Sequence, residues 1–105
     1  MELAVGVYEL TKSWPKEELY GLTNQVRRAA SSVPANIAEG FGRESRASYQ
    51  QFLRIAQGSL KEMETHLLIA QRVHLTNVEA IQPLLNLSES VGKLLRLLIR
   101  KLSET

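Results

Sequence analysis

In this chain of 105 residues, arginine is the residue type whose number and spacing best indicate a binding site. An Arg27–Arg28 pair opens a stretch between positions 25 and 61 that holds six basic residues against two acidic ones, Glu39 and Glu44. Guanidinium groups bind phosphates and carboxylates through paired hydrogen bonds. We therefore predict a nucleic-acid contact surface here, the alternative being a solvated helix face with salt bridges to those glutamates. The predicted contact residues are Arg27, Arg28, Arg43, Arg46, Arg54 and Lys61.

The sequence contains no group of residues with the types and spacing that catalysis or metal binding requires. Glu62 and His66 lie one helical turn apart, but no second copy of this pair occurs, and the chain contains no aspartate. Metal sites in helical bundles need more ligands than such a pair supplies. Neither a nucleophile elbow nor a phosphate-binding glycine loop is present. The sequence predicts no catalytic residues, no metal site, no cofactor and no enzymatic activity.

A proline and two polar residues break the pattern of the second predicted helix. Pro34 removes one backbone hydrogen bond, so we expect a kink there. Asn36 and Glu39 lie just before Gly40, near the end of the helix. They form either a polar binding site or a buried hydrogen-bond network that holds the helix against its neighbours, and the network is the commoner case. Pro34, Asn36, Glu39 and Gly40 are therefore predicted to be a structural motif.

Composition indicates one small domain spanning residues 1–105. The formal net charge is only +2, although arginine outnumbers lysine. Cysteine is absent, which excludes disulfides and thiolate metal sites and suits a reducing compartment. No signal peptide and no membrane-spanning apolar run is apparent. We expect a cytoplasmic protein that makes no membrane contact.

Hydrophobic periodicity predicts four helices and no strands. They are expected at Met1–Lys12, from about Pro15 to Phe41, from near Ser45, and from a capping box that opens at Thr76. Pro83 either kinks the last helix or marks the start of its regular part. The predicted fold is all-α, an antiparallel up-down four-helix bundle.

Heptad-like apolar rows should build the core of this bundle. Phe52, Ile55 and Ile69 are expected to widen the row on the third helix. The fourth helix carries more leucines than one core row needs, which indicates a second interface and hence a homo-oligomer. The row on the third helix is Tyr49, Leu53, Ala56, Leu60, Met63, Leu67 and Ala70. The row on the fourth is Ile81, Leu84, Ser88, Val91, Leu95, Leu98 and Leu102, and the surplus residues are Leu87, Leu94, Leu97 and Ile99.

Several short motifs follow one another in an order typical of one bacterial family. They are YELT at 8–11, LYGLT at 19–23, RRAA at 27–30, SVPANIAEG at 32–40, Tyr49 with Phe52 and Leu53, and Ala56 with SLKE at 59–62. Together these motifs resemble the four-helix-bundle proteins encoded in intervening sequences of 23S ribosomal RNA genes. Accessory proteins of diversity-generating retroelements belong to the same group.

This resemblance implies an up-down bundle that assembles into a ring, as a homopentamer, without enzymatic activity. It also implies RNA or DNA, and a reverse transcriptase or another protein, as partners. Our leading hypothesis is an oligomeric bundle that binds nucleic acid through its basic residues. The alternative is a protein-interaction scaffold or accessory subunit that makes no direct contact with nucleic acid.

Overall fold

The computed structural model describes residues 1–104, which form four α-helices and no strand. Helix α1 is Glu2–Thr11, α2 is Asn24–Phe41, α3 is Arg46–Arg72 and α4 is Val78–Ser103. Buried side chains from all four helices join in one continuous hydrophobic core. Within the same residues, none of the helices combines the length and the apolar content that crossing a bilayer requires.

Consecutive helices run antiparallel and pack side by side. Gly40, near the end of α2, lies against Phe52 near the start of α3. The side-chain amide of Gln50, early in α3, donates to the carbonyl oxygen of Ile99, late in α4, over 3.0 Å. The short helix α1 packs against both α2 and α4. This is the neighbour arrangement of an up-down bundle.

The predicted apolar row on α3 is confirmed as a core element. Its members from Leu53 to Ala70 are all buried, while Tyr49 is half-buried. The expected widening of this face is wrong for Ile55 and Ile69, which are 44% and 43% exposed. Phe52 is half-buried, whereas the 3.6-residue period of the helix places Ile55 and Ile69 well away from the buried row.

The row on α4 is confirmed in its first half and shifts in its second half. Ile81, Leu84, Ser88 and Leu95 are buried as predicted. Gly92 and Ile99 then take the core positions expected for Val91 and Leu98, which are half-buried, as is Leu102. The shift follows from the 3.6-residue period of a straight helix, which drifts away from a strict heptad over several turns.

The second helix begins later than predicted. A 3-10 turn at Lys16–Glu18 and a π-helical turn at Leu19–Thr23 precede the regular helix, which starts only at Asn24. Gly21 has non-helical dihedral angles (φ −103°, ψ −116°), which a residue without a Cβ adopts at little cost. Helix α2 then continues through Pro34 as one helix. The break in helical geometry therefore falls at Gly21, before the regular helix begins, and the kink at Pro34 stays a prediction.

Asparagine, not threonine, caps the last helix. Ser45 caps α3 as predicted, its hydroxyl accepting from the backbone N–H of Ser48. At α4, however, the cap is Asn77, whose side-chain oxygen accepts from the N–H of Ala80 over 2.9 Å. The capping box predicted to open at Thr76 is therefore wrong: asparagine is the stronger N-cap, and with Asn77 as the cap the third helical residue is Ala80, whose side chain cannot return the hydrogen bond. Pro83 lies inside α4 and does not start it.

His74 closes α3 in the left-handed backbone region, with φ of 66°. The N–H of His74 donates to the carbonyl of Gln71, and that of Leu75 donates to the carbonyl of Ala70. This hydrogen-bond pair is the Schellman arrangement, in which glycine is the usual left-handed residue. A residue with a Cβ is strained there.

We expect His74→Gly to raise the free energy of unfolding by about 1 kcal/mol, because glycine relieves the left-handed strain. Urea unfolding followed by circular dichroism measures the change. His74→Ala is the matched control, since it removes the imidazole and keeps the Cβ. Equal stability of the glycine and alanine variants would contradict this explanation.

Gly40 and Gly58 offer an opposite pair of predictions. A Cβ at Gly40 would lie 2.9 Å from Phe52 Cβ and 3.2 Å from the carbonyl oxygen of Tyr49, so α2 and α3 would have to separate. We expect Gly40→Ala to cost about 1–3 kcal/mol of stability. A Cβ at Gly58, inside α3, meets nothing within 4 Å. There, alanine should stabilise by up to about 1 kcal/mol through helix propensity alone.

Thermal or urea unfolding of both alanine variants tests the pair. A stabilised Gly40→Ala variant would show that the close contact of α2 with α3 is not required.

Candidate functional site

Arg27 is held against the first helix. Its Nε donates to the Thr11 hydroxyl over 2.7 Å, and its guanidinium lies 4.8 Å from the centre of the Tyr8 ring. The buried Thr11 hydroxyl in turn donates to the carbonyl of Val7. Arg27 thus fixes α1 to α2 by a hydrogen bond and a cation–π contact.

Arg43 and Arg46 flank the turn between α2 and α3. Arg43 pairs with Glu39 at 2.6 Å and covers the Phe52 ring at 4.8 Å. Both partners of the ion pair are about half exposed, so the pair contributes little to stability. Arg46 is exposed in the first turn of α3, where its charge adds to the positive end of the helix dipole.

A basic groove lies between α3 and α4. Arg54, Lys61 and Arg96 line a hollow of about 390 Å³, together with Gln57 and with Gly58, Leu60 and Gly92. Its lining holds three cations and no carboxylate. Gly58 presents no side chain and has open space above it, so a ligand can approach the backbone of α3 between the charges, whereas Gly92 is buried beside Leu60 and Arg96. We call this hollow the α3–α4 groove.

The groove continues toward Glu64 and Glu89, where its charge is balanced. Lys61 pairs with Glu64 at 3.2 Å, and Lys93 pairs with Glu89 at 3.8 Å. Glu64 also accepts a hydrogen bond from the buried hydroxyl of Ser88. This bond accounts for the one polar residue in the apolar row of α4. The positive character of the groove is therefore concentrated around Gly92, near Arg54 and Arg96.

A second, polar hollow of about 650 Å³ lies between α2 and α3, and we call it the α2–α3 cleft. Arg28 and Gln25 line it from α2, and Glu62 and His66 line it from α3. Ser32 and Ser59 meet across it, their hydroxyl oxygens 2.8 Å apart. The cleft therefore mixes hydrogen-bond donors with one carboxylate.

The four residues of the predicted structural motif lie in different surroundings. Asn36 donates its side-chain amide to both the carbonyl and the hydroxyl of Ser32, each over 2.8 Å, so it belongs to a partly buried network. Glu39 is instead exposed and paired with Arg43. Gly40 is buried at the close contact with α3, and Pro34 lines an apolar hollow with Leu87 and Val91.

Glu62 and His66 come within 3.5 Å of each other, as their spacing indicated. Across residues 1–104, no three histidine, aspartate or glutamate side chains lie close enough together to hold a metal ion. Neither ring nitrogen of His66 has a hydrogen-bond partner, although the side chain is only 14% exposed.

The six predicted contact residues thus fall into separate surroundings. Arg54 and Lys61 share the α3–α4 groove, Arg43 and Arg46 flank the α2–α3 turn, Arg28 lines the α2–α3 cleft, and Arg27 faces α1. Sequence reasoning missed Arg96, because the basic cluster was sought within one continuous stretch. The antiparallel packing of α3 on α4 brings Arg96 to Lys61.

Apolar side chains also remain on the surface. Leu94 and Leu97, two of the surplus leucines of α4, are 67% and 57% exposed, whereas Leu87 is half-buried and Ile99 is buried. Phe41 and Tyr20 are also strongly exposed. Leu94 and Leu97 are three residues apart and so lie on one face of the helix.

Comparison with known proteins identifies the family. No curated protein matches the chain at a significant level. The family model described as 23S rRNA-intervening sequence protein matches residues 1–97, which is nearly the whole chain. With its four helices, the chain belongs to the 23S rRNA-intervening sequence protein family.

Proposed function

We propose that this protein is a non-enzymatic, cytoplasmic, oligomeric four-helix bundle that binds RNA or DNA. The observation that carries the proposal is the α3–α4 groove, where Arg54, Lys61 and Arg96 converge and where, within residues 1–104, only Lys61 is paired with a carboxylate, that of Glu64. Two guanidinium groups without an ion-pair partner, beside a paired ammonium group, suit the phosphate backbone of a nucleic acid. No cofactor is needed for this role.

The other predicted contact residues differ in how freely their charges can reach a bound nucleic acid. Arg46 is exposed and has no ion-pair partner within residues 1–104, so its charge is available to a phosphate. Arg43 would first have to leave Glu39. Arg27 contributes positive potential while its guanidinium holds α1, and Arg28 faces the other side of α3. The α3–α4 groove is accordingly the centre of the proposed interface.

Assembly with further copies of the chain would multiply a weak contact. The proposed oligomer is a ring, and a homopentamer by the family resemblance. Leu94 and Leu97 on α4 are exposed apolar side chains that such an interface would bury. A ring repeats the groove around its axis, and linked sites bind one long ligand far more tightly than a single site does.

The alternative function is a scaffold or accessory subunit that binds a protein, such as a reverse transcriptase, and no nucleic acid. The exposed Leu94, Leu97 and Phe41 favour it, since exposed apolar side chains of this size mark protein interfaces. Under this alternative, changing the groove would leave binding to the partner intact.

We expect the double variant Arg54→Gln, Arg96→Gln to bind structured RNA or duplex DNA at least tenfold more weakly at low salt, through loss of two phosphate contacts. The slope of log K against log salt should fall by about two. Fluorescence anisotropy with 5′-hydroxyl oligonucleotides measures both. Arg72→Gln removes an exposed charge from α3 outside the groove and is the matched control. No binding by the wild-type protein at low salt would favour the scaffold.

We expect light scattering to report a mass several times the 11.8 kDa of one chain at micromolar concentration. Leu94→Gln with Leu97→Gln should shift the mass toward that of one chain, because the apolar contact is lost. Circular dichroism should remain helical, since both side chains are exposed. A wild-type mass equal to a single chain would refute the oligomer.

A further inference from the structure

The α2–α3 cleft lies on the opposite side of α3 from the basic groove and has a different chemistry. We propose that it is a binding site for a sugar phosphate, in which Arg28 and the Ser32–Ser59 pair hold the phosphate and Glu62 accepts hydrogen bonds from the sugar hydroxyls. The cleft volume of about 650 Å³ is within the range of small-molecule sites.

The serine pair leaves one hydroxyl proton unused. The two hydroxyl oxygens are 2.8 Å apart and share a single hydrogen bond. This bond uses only one of the two hydroxyl protons. Asn36 already donates to the Ser32 hydroxyl, which orients that oxygen. No other acceptor within residues 1–104 takes the remaining proton. The pair therefore has one O–H free to donate to a ligand oxygen.

Arg28 supplies the positive charge of the cleft. It is exposed, and no carboxylate pairs with it within residues 1–104. The amide of Gln25 lies on the same helix, one turn earlier, and also lines the cleft. Donors thus come from α2 and from the serine pair that bridges α2 and α3. A phosphate offers oxygens in several directions and can meet donors on two walls, whereas the two oxygens of a carboxylate lie in one plane.

His66, on the wall of the cleft, has a side chain without hydrogen-bond partners among residues 1–104. Both ring nitrogens lack a partner, and Nε2 is 3.5 Å from Glu62 Oε1. A partly buried polar group without a partner destabilises the folded state. Both nitrogens are buried, so His66 shapes the wall of the cleft beside Glu62 and makes no direct contact with the ligand.

Glu62 indicates that the bound phosphate belongs to a ligand that also carries hydroxyl groups. Its carboxylate opposes a bare anion, but it is 60% exposed at the rim, where solvent weakens the repulsion. Carboxylates commonly accept hydrogen bonds from ribose hydroxyls in nucleotide sites. A ligand that carries both a phosphate and hydroxyls therefore matches the cleft better than inorganic phosphate does.

Such a ligand has two sources, a free sugar phosphate or the 5′-phosphorylated end of a nucleic acid. This inference does not depend on the proposed function, because the anisotropy test above uses 5′-hydroxyl oligonucleotides and the α3–α4 groove. Either proposal can fail while the other holds.

The experiment titrates the full chain with ribose 5-phosphate, inorganic phosphate and ribose, following backbone amide resonances by NMR. We expect ribose 5-phosphate to shift the resonances of Ser32, Ser59 and Glu62 and to saturate below about 10 mM, inorganic phosphate to bind more weakly, and ribose not to bind. Arg28→Gln should weaken ribose 5-phosphate about tenfold or more, as loss of a charged hydrogen bond does. Arg72→Gln, a matched loss of an exposed arginine, should bind like the wild type.

Glu62→Gln separates the two parts of the proposal. It should weaken ribose 5-phosphate but not inorganic phosphate, because only the sugar contacts the carboxylate. Stronger binding of ribose 5-phosphate by this variant would overturn the role given to Glu62. Wild-type affinity in Arg28→Gln, or no shift at these residues with the wild-type protein, would overturn the site.

A 5′-phosphorylated tetranucleotide, compared with the same sequence lacking the phosphate, identifies the source. Tighter binding of the phosphorylated tetranucleotide than of ribose 5-phosphate assigns the cleft to a nucleic-acid end. The reverse order assigns it to a free sugar phosphate. Both results support the site.

Discussion

The close contact between α2 and α3 is the constraint on which the rest of the structure depends. At Gly40 the two helices approach so nearly that an added Cβ would lie 2.9 Å from Phe52 Cβ. This contact sets the register that brings Ser32 to Ser59 and places Arg28 in the same cleft as His66. With α3 fixed in this way, its opposite side is left to pack on α4 and to form the basic groove.

Helix α3 therefore separates two polar surfaces of different character. The α3–α4 groove gathers cations around Gly92 and suits repeated phosphates along a chain. The α2–α3 cleft combines Arg28 with Glu62 and with hydroxyl groups, so it suits one ligand that offers both acceptors and donors. The six basic residues that lie close together in the sequence are thus divided by α3, the helix that carries half of them.

Much of the fold could be predicted, because helical periodicity is a local property. The buried row from Leu53 to Ala70 and the Ser45 cap follow from spacing alone. The late start of α2 could not be predicted, since Pro15 and the acidic first turn suit a regular helix, whereas a single glycine does not by itself mark the break that Gly21 makes. Arg96 and Ser59 were missed for a related reason. Their roles arise from the register between helices, which a sequence pattern does not contain.

The irregular segment from Lys16 to Thr23 has a consequence for cooperativity. Helical order propagates from one turn to the next through successive hydrogen bonds, and the chain leaves helical geometry twice between α1 and α2, at Pro15 (ψ 146°) and at Gly21 (ψ −116°). The ten residues of α1 are too few to form a stable helix by themselves, so α1 depends on its contacts with the other helices. Val7 supplies the contact in the core, and Thr11, bound by Arg27, supplies the contact at the end of the helix.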